Sequence, residues 1–246
     1  MDIEGKVAVV SGGASGIGRA AVLALAEREA KVVVADVDED GGRQTVKMAG
    51  AKGGSAAFRR CDVTKTEDLD SAFDWTVEHF GQFDIAFNNA GISGEDLFAD
   101  ERGYWRRIID IDLTAVIDAT RLAVRKMRLA GDAGVIINTA SMIGLWPMAS
   151  APVYAAAKAG VVNFSRSLAY LEEESNIRVN AICPEIVDTP MALGLGEESL
   201  MELRTEGGIL GPEDIAAGVV ELIEDDTRFG AVMKVTILGG REYATM

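Results

Sequence analysis

Val7-Ala8-Val9-Val10 runs directly into Ser11-Gly12-Gly13-Ala14-Ser15-Gly16-Ile17-Gly18, and the join between these two stretches decides the fold. A continuous apolar, β-branched run suits a strand buried on both faces, as in a parallel sheet covered by helices. Helical periodicity begins at Gly16 and is expected to reach Glu29. Between strand and helix, Gly12, Gly16 and Gly18 stand in the pattern G-x-x-x-G-x-G, with Ser15 and Ile17 inside the turn. Missing side chains let backbone approach a pyrophosphate, and the free N–H groups and positive end of the next helix meet the anion. The competing reading is a tight strand-to-helix turn with no ligand.

Working outward, further apolar runs recur at Val32–Ala35, Ala56–Phe58, Ile85–Phe87, Val135–Ile137, Val179–Ile182 and Val235–Leu238. Helices are expected between them at about Thr66–Phe80, Tyr104–Ala130 and Ala151–Glu174. Within the second, Ile109, Leu113, Val116, Thr120, Ala123 and Met127 alternate steps of four and three along one face. Strand-helix alternation with short connections implies one α/β domain over residues 1–246. The expected architecture is a Rossmann-type doubly wound parallel sheet of about seven strands, flanked by helices on both faces. Residues 187–211 read as a long irregular stretch, and such a loop in a compact domain is commonly a lid.

The 246 residues are 48% hydrophobic, enough for a sizeable core. With 24 Lys and Arg against 39 Asp and Glu, the net charge of −15 disfavours nucleic acid and anionic membranes as partners. Cys61 and Cys183 are too few for a disulfide framework or a four-ligand zinc site. The single histidine, His79, reads as a helix-end cation rather than a catalytic base. No opening leader and no apolar run of membrane-spanning length is evident, so a cytoplasmic protein is expected.

Asp36 closes the second strand, where a carboxylate accepts hydrogen bonds from an adenosine ribose diol. A 2′-phosphate would face that charge, and the flanking Ser15 and Val37 offer no cation to offset it. NAD is therefore expected over NADP. Tyr154 and Lys158 stand four apart on one predicted helix, with Ser141 ahead of them. A free phenol has a pKa near 10, and a neighbouring ammonium favours the phenolate. That pairing suits proton exchange with a substrate hydroxyl. Singly, each residue has a bland reading as an exposed lysine, a half-buried tyrosine and a loop serine.

Taken together, these motifs resemble the classical short-chain dehydrogenase/reductase family along essentially the whole chain. Ser11 to Gly18 is similar to the family's glycine-rich loop, with Ser11 where threonine is more usual. Asp62-Val63 resembles the pair beside the adenine. Asn88-Asn89-Ala90-Gly91 matches the segment after the fourth strand that lines the cofactor groove. Ser141, Tyr154 and Lys158 match the catalytic serine, tyrosine and lysine, and Gly239-Gly240 follows the last strand as in the family.

The resemblance implies hydride transfer between NAD and a small-molecule secondary alcohol or ketone, with Tyr154 exchanging the hydroxyl proton. Lys158 would lower the tyrosine pKa and hold the nicotinamide ribose, and Ser141 would orient the substrate oxygen. Pro184, Val187 and Thr189 would lie beside the nicotinamide carboxamide. A homotetramer is implied, built through the long helices.

Two positions depart from the family pattern. Asp112 stands where the catalytic asparagine is usual, placing a carboxylate near Lys158; the role survives if it rests on the backbone carbonyl. Glu185 replaces the glycine after Pro184, either reading a polar group on the substrate or facing solvent. Asp112 keeps a second class of function open: a low-turnover NAD-binding sensor or scaffold with a weakened site. Apolar Trp146, Pro147, Met148, Leu193, Leu195, Leu200, Met201 and Leu203 are candidates for the substrate wall.

Overall fold

A computed structural model describes residues 1–93, 97–131, 133–206 and 208–245, with Leu195 described by its backbone alone. The side chain of Leu195 and residue Gly207, both within the expected lid, lie outside the described residues. The strands are β1 (Val7–Ser11), β2 (Lys31–Asp36), β3 (Ser55–Arg60), β4 (Ile85–Asn88), β5 (Gly134–Thr139), β6 (Ile177–Pro184), β7 (Val232–Thr236) and β8 (Gly240–Tyr243). They form one sheet in the order β3-β2-β1-β4-β5-β6-β7-β8. All neighbours pair in parallel except β7 and β8. The chain winds outward both ways from β1 and β4, so their carboxyl ends, Ser11 and Asn88, flank the switch point where such sheets bind ligands.

The expected doubly wound sheet is present, extended by one antiparallel edge strand. The strand expected at Val235–Leu238 is shifted: β7 ends at Thr236, and fully exposed Leu238 lies in the turn to β8. Gly240 takes a φ of +63° at that turn, which glycine adopts without steric cost.

Alternate side chains of the strands enter opposite layers. On one face Val10, Val34, Phe87 and Ile137 pack with Leu25 of α1 (Gly16–Ala26) and Val219 and Leu222. The last two belong to a helix at Pro212–Glu224, which the sequence reading did not place. On the other face Val9, Val33, Ala86 and Ile136 pack with Phe73 and Met127. Another unplaced helix, α2 (Glu39–Ala51), buries only Gly42, Thr45 and Ala49 and so shows little apolar periodicity. Helix α3 (Thr66–Phe80) runs as expected, with His79 in its last turn stacked on Trp75 and Gly81 closing it at φ +80°.

Both long helices are interrupted. The span from Tyr104 to Ala130 divides into α4 (Tyr104–Ile109), a π-helical turn (Asp110–Thr114) and α5 (Ala115–Ala130). The wider turn carries Ile108, Asp112, Val116 and Thr120 inward in steps of four, and Ile109 remains half-buried. The span from Ala151 to Glu174 becomes α6 (Pro152–Ser167) and α7 (Leu171–Ser175). Leu168 and Ala169 donate to carbonyls three residues back, and this tighter turn redirects the chain toward β6. The described part of 187–211 is largely regular, with a 3₁₀ turn (Pro190–Leu195) and α8 (Glu197–Glu206), anchored by buried Leu200. The Pro212–Glu224 helix is α9.

Arg178 on β6 is buried and donates to the carbonyls of Leu222 (2.9 Å), Ile223 (2.6 Å), Asp225 (3.1 Å) and Arg228 (3.1 Å). It ties the last turn of α9, at Leu222 and Ile223, to the turn that follows, at Asp225 and Arg228. The Ile223, Asp225 and Arg228 carbonyls each keep a second donor, from the Met1 amine, Arg228 N and Asn180 Nδ2, so Arg178→Met is expected to cost about 1–3 kcal/mol in urea unfolding, chiefly by stranding the Leu222 carbonyl. A loss under about 1 kcal/mol would contradict that role.

Candidate active site

The glycine-rich loop is locked by close backbone approach. Gly12 sits at φ +67°, and a Cβ there would lie 2.8 Å from Ala90 Cα. A Cβ on Gly18 would meet the Gly12 carbonyl oxygen at 2.1 Å. The Ser11 hydroxyl accepts from the N–H groups of Asn89 (2.9 Å) and Ala90 (3.2 Å), and Asn89 Nδ2 donates back to the Ser11 carbonyl at 3.2 Å. Ser15 is the exposed N-cap of α1 and makes no side-chain cap, and the first turn of α1 contains no acidic residue. The first turns of α2 and α3 carry Glu39 and Asp40, and Glu67 and Asp68. The start of α1, from Ser15 through half-buried Ile17, therefore keeps its positive end open to an external anion. A dinucleotide's diphosphate fits this cradle.

Asp36 ends β2 beside the loop. Its Oδ2 accepts from Ala14 N at 2.9 Å and its Oδ1 from Asp38 N at 3.0 Å, fixing the carboxylate at the rim. Asp62 and half-buried Val63 follow β3. The Thr64 hydroxyl donates to Asp62 Oδ1 at 2.7 Å, and this bond holds the Asp62 carboxyl below its ordinary range.

At the next strand ends, Ser141, Tyr154, Lys158 and Asp112 come together. Lys158 on α6 is buried, donates to the Thr139 carbonyl at 2.9 Å, and holds its Nζ 3.0 Å from Asp112 Oδ1. Asp112, inside the π turn, is completely buried, and its Oδ2 accepts from Ile92 N at 3.3 Å. Space for the pair depends on Gly91, where a Cβ would fall 2.7 Å from Asp112 Oδ1. Lys158 Nζ lies 5.5 Å from the Tyr154 ring centre.

Burial pushes the Asp112 carboxyl up, against the pull of Lys158. Burial pushes the Lys158 ammonium down, but the charges of Asp112 and Tyr154 more than reverse this and leave it raised. For Tyr154, burial wins: the phenol lies above 10 although Lys158 and a Ser141 hydrogen bond lower it, and Asp112 raises it further. Lys158 thus lowers the phenol as the pairing implies, and the desolvation that opposes it is not reported by the spacing of the two residues. Cys183, behind Ser141, is pushed up to about 12 by burial and stays a neutral thiol.

Pro184 ends β6, and the chain continues over the loop. Val187 bridges to Leu210, Thr189 donates to the Val187 carbonyl at 3.3 Å, and a Cβ on Gly16 would touch Thr189 Cγ2 at 3.0 Å. Glu185 is exposed, and its Oε2 accepts from Ile237 N at 2.9 Å. That bond ties the segment to the turn after β7, so the carboxylate is engaged in the protein's own backbone. The sequence reading missed the Ser11 clamp and the Thr139 carbonyl; a hydroxyl beside Gly12 and a backbone oxygen carry no distinguishing residue signal.

The family profile for short chain dehydrogenase matches residues 6–199. This chain belongs to the short chain dehydrogenase family. The dehydrogenase is 38% identical to 15-hydroxyprostaglandin dehydrogenase [NAD(+)] from Bos taurus, over 99% of this chain and 95% of that protein. It is 35% identical to cyclohexanol dehydrogenase from Acinetobacter sp. (strain SE19), over 91% and 90% respectively. Among solved structures, an actinorhodin polyketide ketoreductase with NADPH superposes with a TM-score of 0.86 at 29% identity, covering 94% of this chain and 95% of that one.

Gly91→Ala is expected to drive a methyl into the Asp112–Lys158 pair. Such overpacking costs about 1–3 kcal/mol in stability, and the displaced pair lowers dehydrogenase turnover roughly a hundredfold. Turnover at the parent level in the folded variant would show that the tight fit is not required.

Proposed function

We propose that the protein is an NAD-dependent dehydrogenase of apolar small-molecule secondary alcohols. The observation that carries this is the convergence of Ser141, Tyr154 and buried Lys158 beside an anion cradle at the switch point of the sheet. In this reading Gly12, Ser15, Gly16, Ile17 and Gly18 hold the diphosphate, Asp36 the adenosine ribose, and Asp62 and Val63 the adenine. Asn89, Ala90 and Gly91 line the groove, Tyr154 and Lys158 hold the nicotinamide ribose, and Pro184, Val187 and Thr189 meet the carboxamide. The Asp36 carboxylate would repel a 2′-phosphate at close range by about 1–4 kcal/mol, which favours NAD. The two curated relatives described above support both parts of the reading, one by its stated use of NAD(+) and both by their alcohol substrates.

When bound, NAD supplies the hydride acceptor. Ser141 orients the substrate hydroxyl. Tyr154, as phenolate, takes the hydroxyl proton while the carbinol C–H bond gives up its electron pair, leaving a ketone. Lys158 favours the phenolate, and its own charge is held in place by Asp112 and Thr139. Residues 187–211 act as a lid. Exposed Trp146, Met148, Met191 and Leu193 support an apolar alcohol over a charged one. The sensor or scaffold alternative is disfavoured because Ser141, Tyr154 and Lys158 stand together intact. A homotetramer and cytoplasmic residence go with this reading through family resemblance. Among the described residues, no helix is long and apolar enough to cross a membrane.

The test is a panel of secondary alcohols, including cyclohexanol, with NAD, followed by nicotinamide absorbance. Turnover is expected, and Tyr154→Phe should lower it by about 10²–10⁴ while keeping NAD binding. Because the phenol lies above 10 and the base is its deprotonated form, kcat/KM for oxidation should rise from pH 7 to 9. NAD binding without turnover on any alcohol would overturn the reading in favour of the sensor.

A further inference from the structure

The charge balance beneath Tyr154 is set by very few groups. From α6 come Tyr154 and Lys158, from the π turn Asp112, and from β6 the neutral thiol Cys183; among the described residues these are the titratable groups that bear most strongly on the Tyr154 phenol and the Lys158 ammonium. Among the described residues, the other hydrogen bonds of the pair are to backbone: the Thr139 carbonyl on Nζ and the Ile92 N–H on Oδ2. The Asp112 carboxylate and Lys158 ammonium therefore sum to zero in a dry setting, 3.0 Å apart. An amide in place of Asp112 would keep the shape and leave one uncompensated positive charge.

The two states of the cofactor differ in charge at the nicotinamide ring, which is cationic when oxidised and neutral when reduced. A net positive cluster beside that ring penalises the oxidised form alone, whereas a neutral cluster does not. We propose that Asp112 biases the site toward the oxidised cofactor, and so toward alcohol oxidation, by cancelling the charge of Lys158. The inference rests on the dinucleotide reading above, which places Lys158 at the nicotinamide ribose. Asp112 is in this sense a positioning and charge-setting residue, acting through Lys158 and not on the substrate.

The ratio of dissociation constants for NAD⁺ and NADH isolates this effect, because contacts common to both forms cancel. NADH is titrated by its fluorescence, NAD⁺ by competition, and folding is checked by thermal melting. Asp112→Asn is expected to raise Kd(NAD⁺)/Kd(NADH) about fivefold or more, equivalent to about 1 kcal/mol. The double variant Asp112→Asn/Lys158→Gln restores a neutral cluster and should return the ratio to near the parent value, although catalysis is lost. A purely structural role for Asp112 would not produce that return. If both forms bind and the ratio is unchanged in Asp112→Asn, or the double variant does not return it, the proposal is wrong. If neither form binds the parent protein, the dinucleotide reading fails first and the proposal with it.

Discussion

An ammonium taken almost wholly out of water must find anions and carbonyls, and much of the site is arranged to supply Lys158 with them. Asp112 gives the counter-charge and Thr139 a carbonyl. Removing one partner of such a buried pair strands the other, which is the costly outcome. The π turn that aims Asp112 inward and the bare backbone of Gly91 that makes room for it follow from the same requirement. The pair links four separate segments: α6, the π turn, the end of β5 and the loop after β4. Tyr154 sits against this charge, so its readiness to exchange a proton depends on contacts made far from it in sequence.

A second constraint is electrostatic on the scale of the molecule. A chain with a net charge of −15 does not attract an anionic ligand through its surface field. The cradle at the start of α1 offers an anion backbone N–H groups and the helix end, with the Arg19 guanidinium, which donates to the Ala14 carbonyl, alongside. Its first turn carries no carboxylate, and Ser11 and Asn89 tie the loop to the neighbouring strand. An anion site made this way is local and short-ranged, consistent with a compact small-molecule site and not a charged polymer track.

What was readable in the sequence was whatever depends on local pattern. Buried strands appear as continuous apolar runs, the glycine spacing marks the cradle, and the four-residue step puts Tyr154 and Lys158 on one helical face. Helix α3 follows from periodicity and the closing Gly81. What was not readable depends on distant contacts. The π turn breaks a helix whose apolar spacing is compatible with a regular α-helix, and what it brings about, Asp112 against Lys158 on α6, is a contact distant in sequence. The phenol's upward displacement comes from burial, which neighbouring residues in sequence do not report. Glu185 reads from sequence as either a substrate contact or a solvent-facing residue; it is exposed, and its carboxylate accepts from Ile237 N, on a turn whose apolar residues read as strand. Helix α9 was legible in principle: Gly211-Pro212-Glu213-Asp214 carries a proline at the first turn and a carboxylate that accepts from Gly211 N at 2.8 Å.

The most direct measurement is a crystal structure of the protein with NAD and an unreactive ketone analogue of a substrate found in the alcohol panel. The account predicts the ketone oxygen within hydrogen-bond reach, about 3 Å, of both the Tyr154 and Ser141 hydroxyls, with its carbonyl carbon facing the nicotinamide ring. Lys158 should still contact Asp112 and Thr139 beneath them. A ketone oxygen held by other groups, with Tyr154 turned away from the ring, would contradict it.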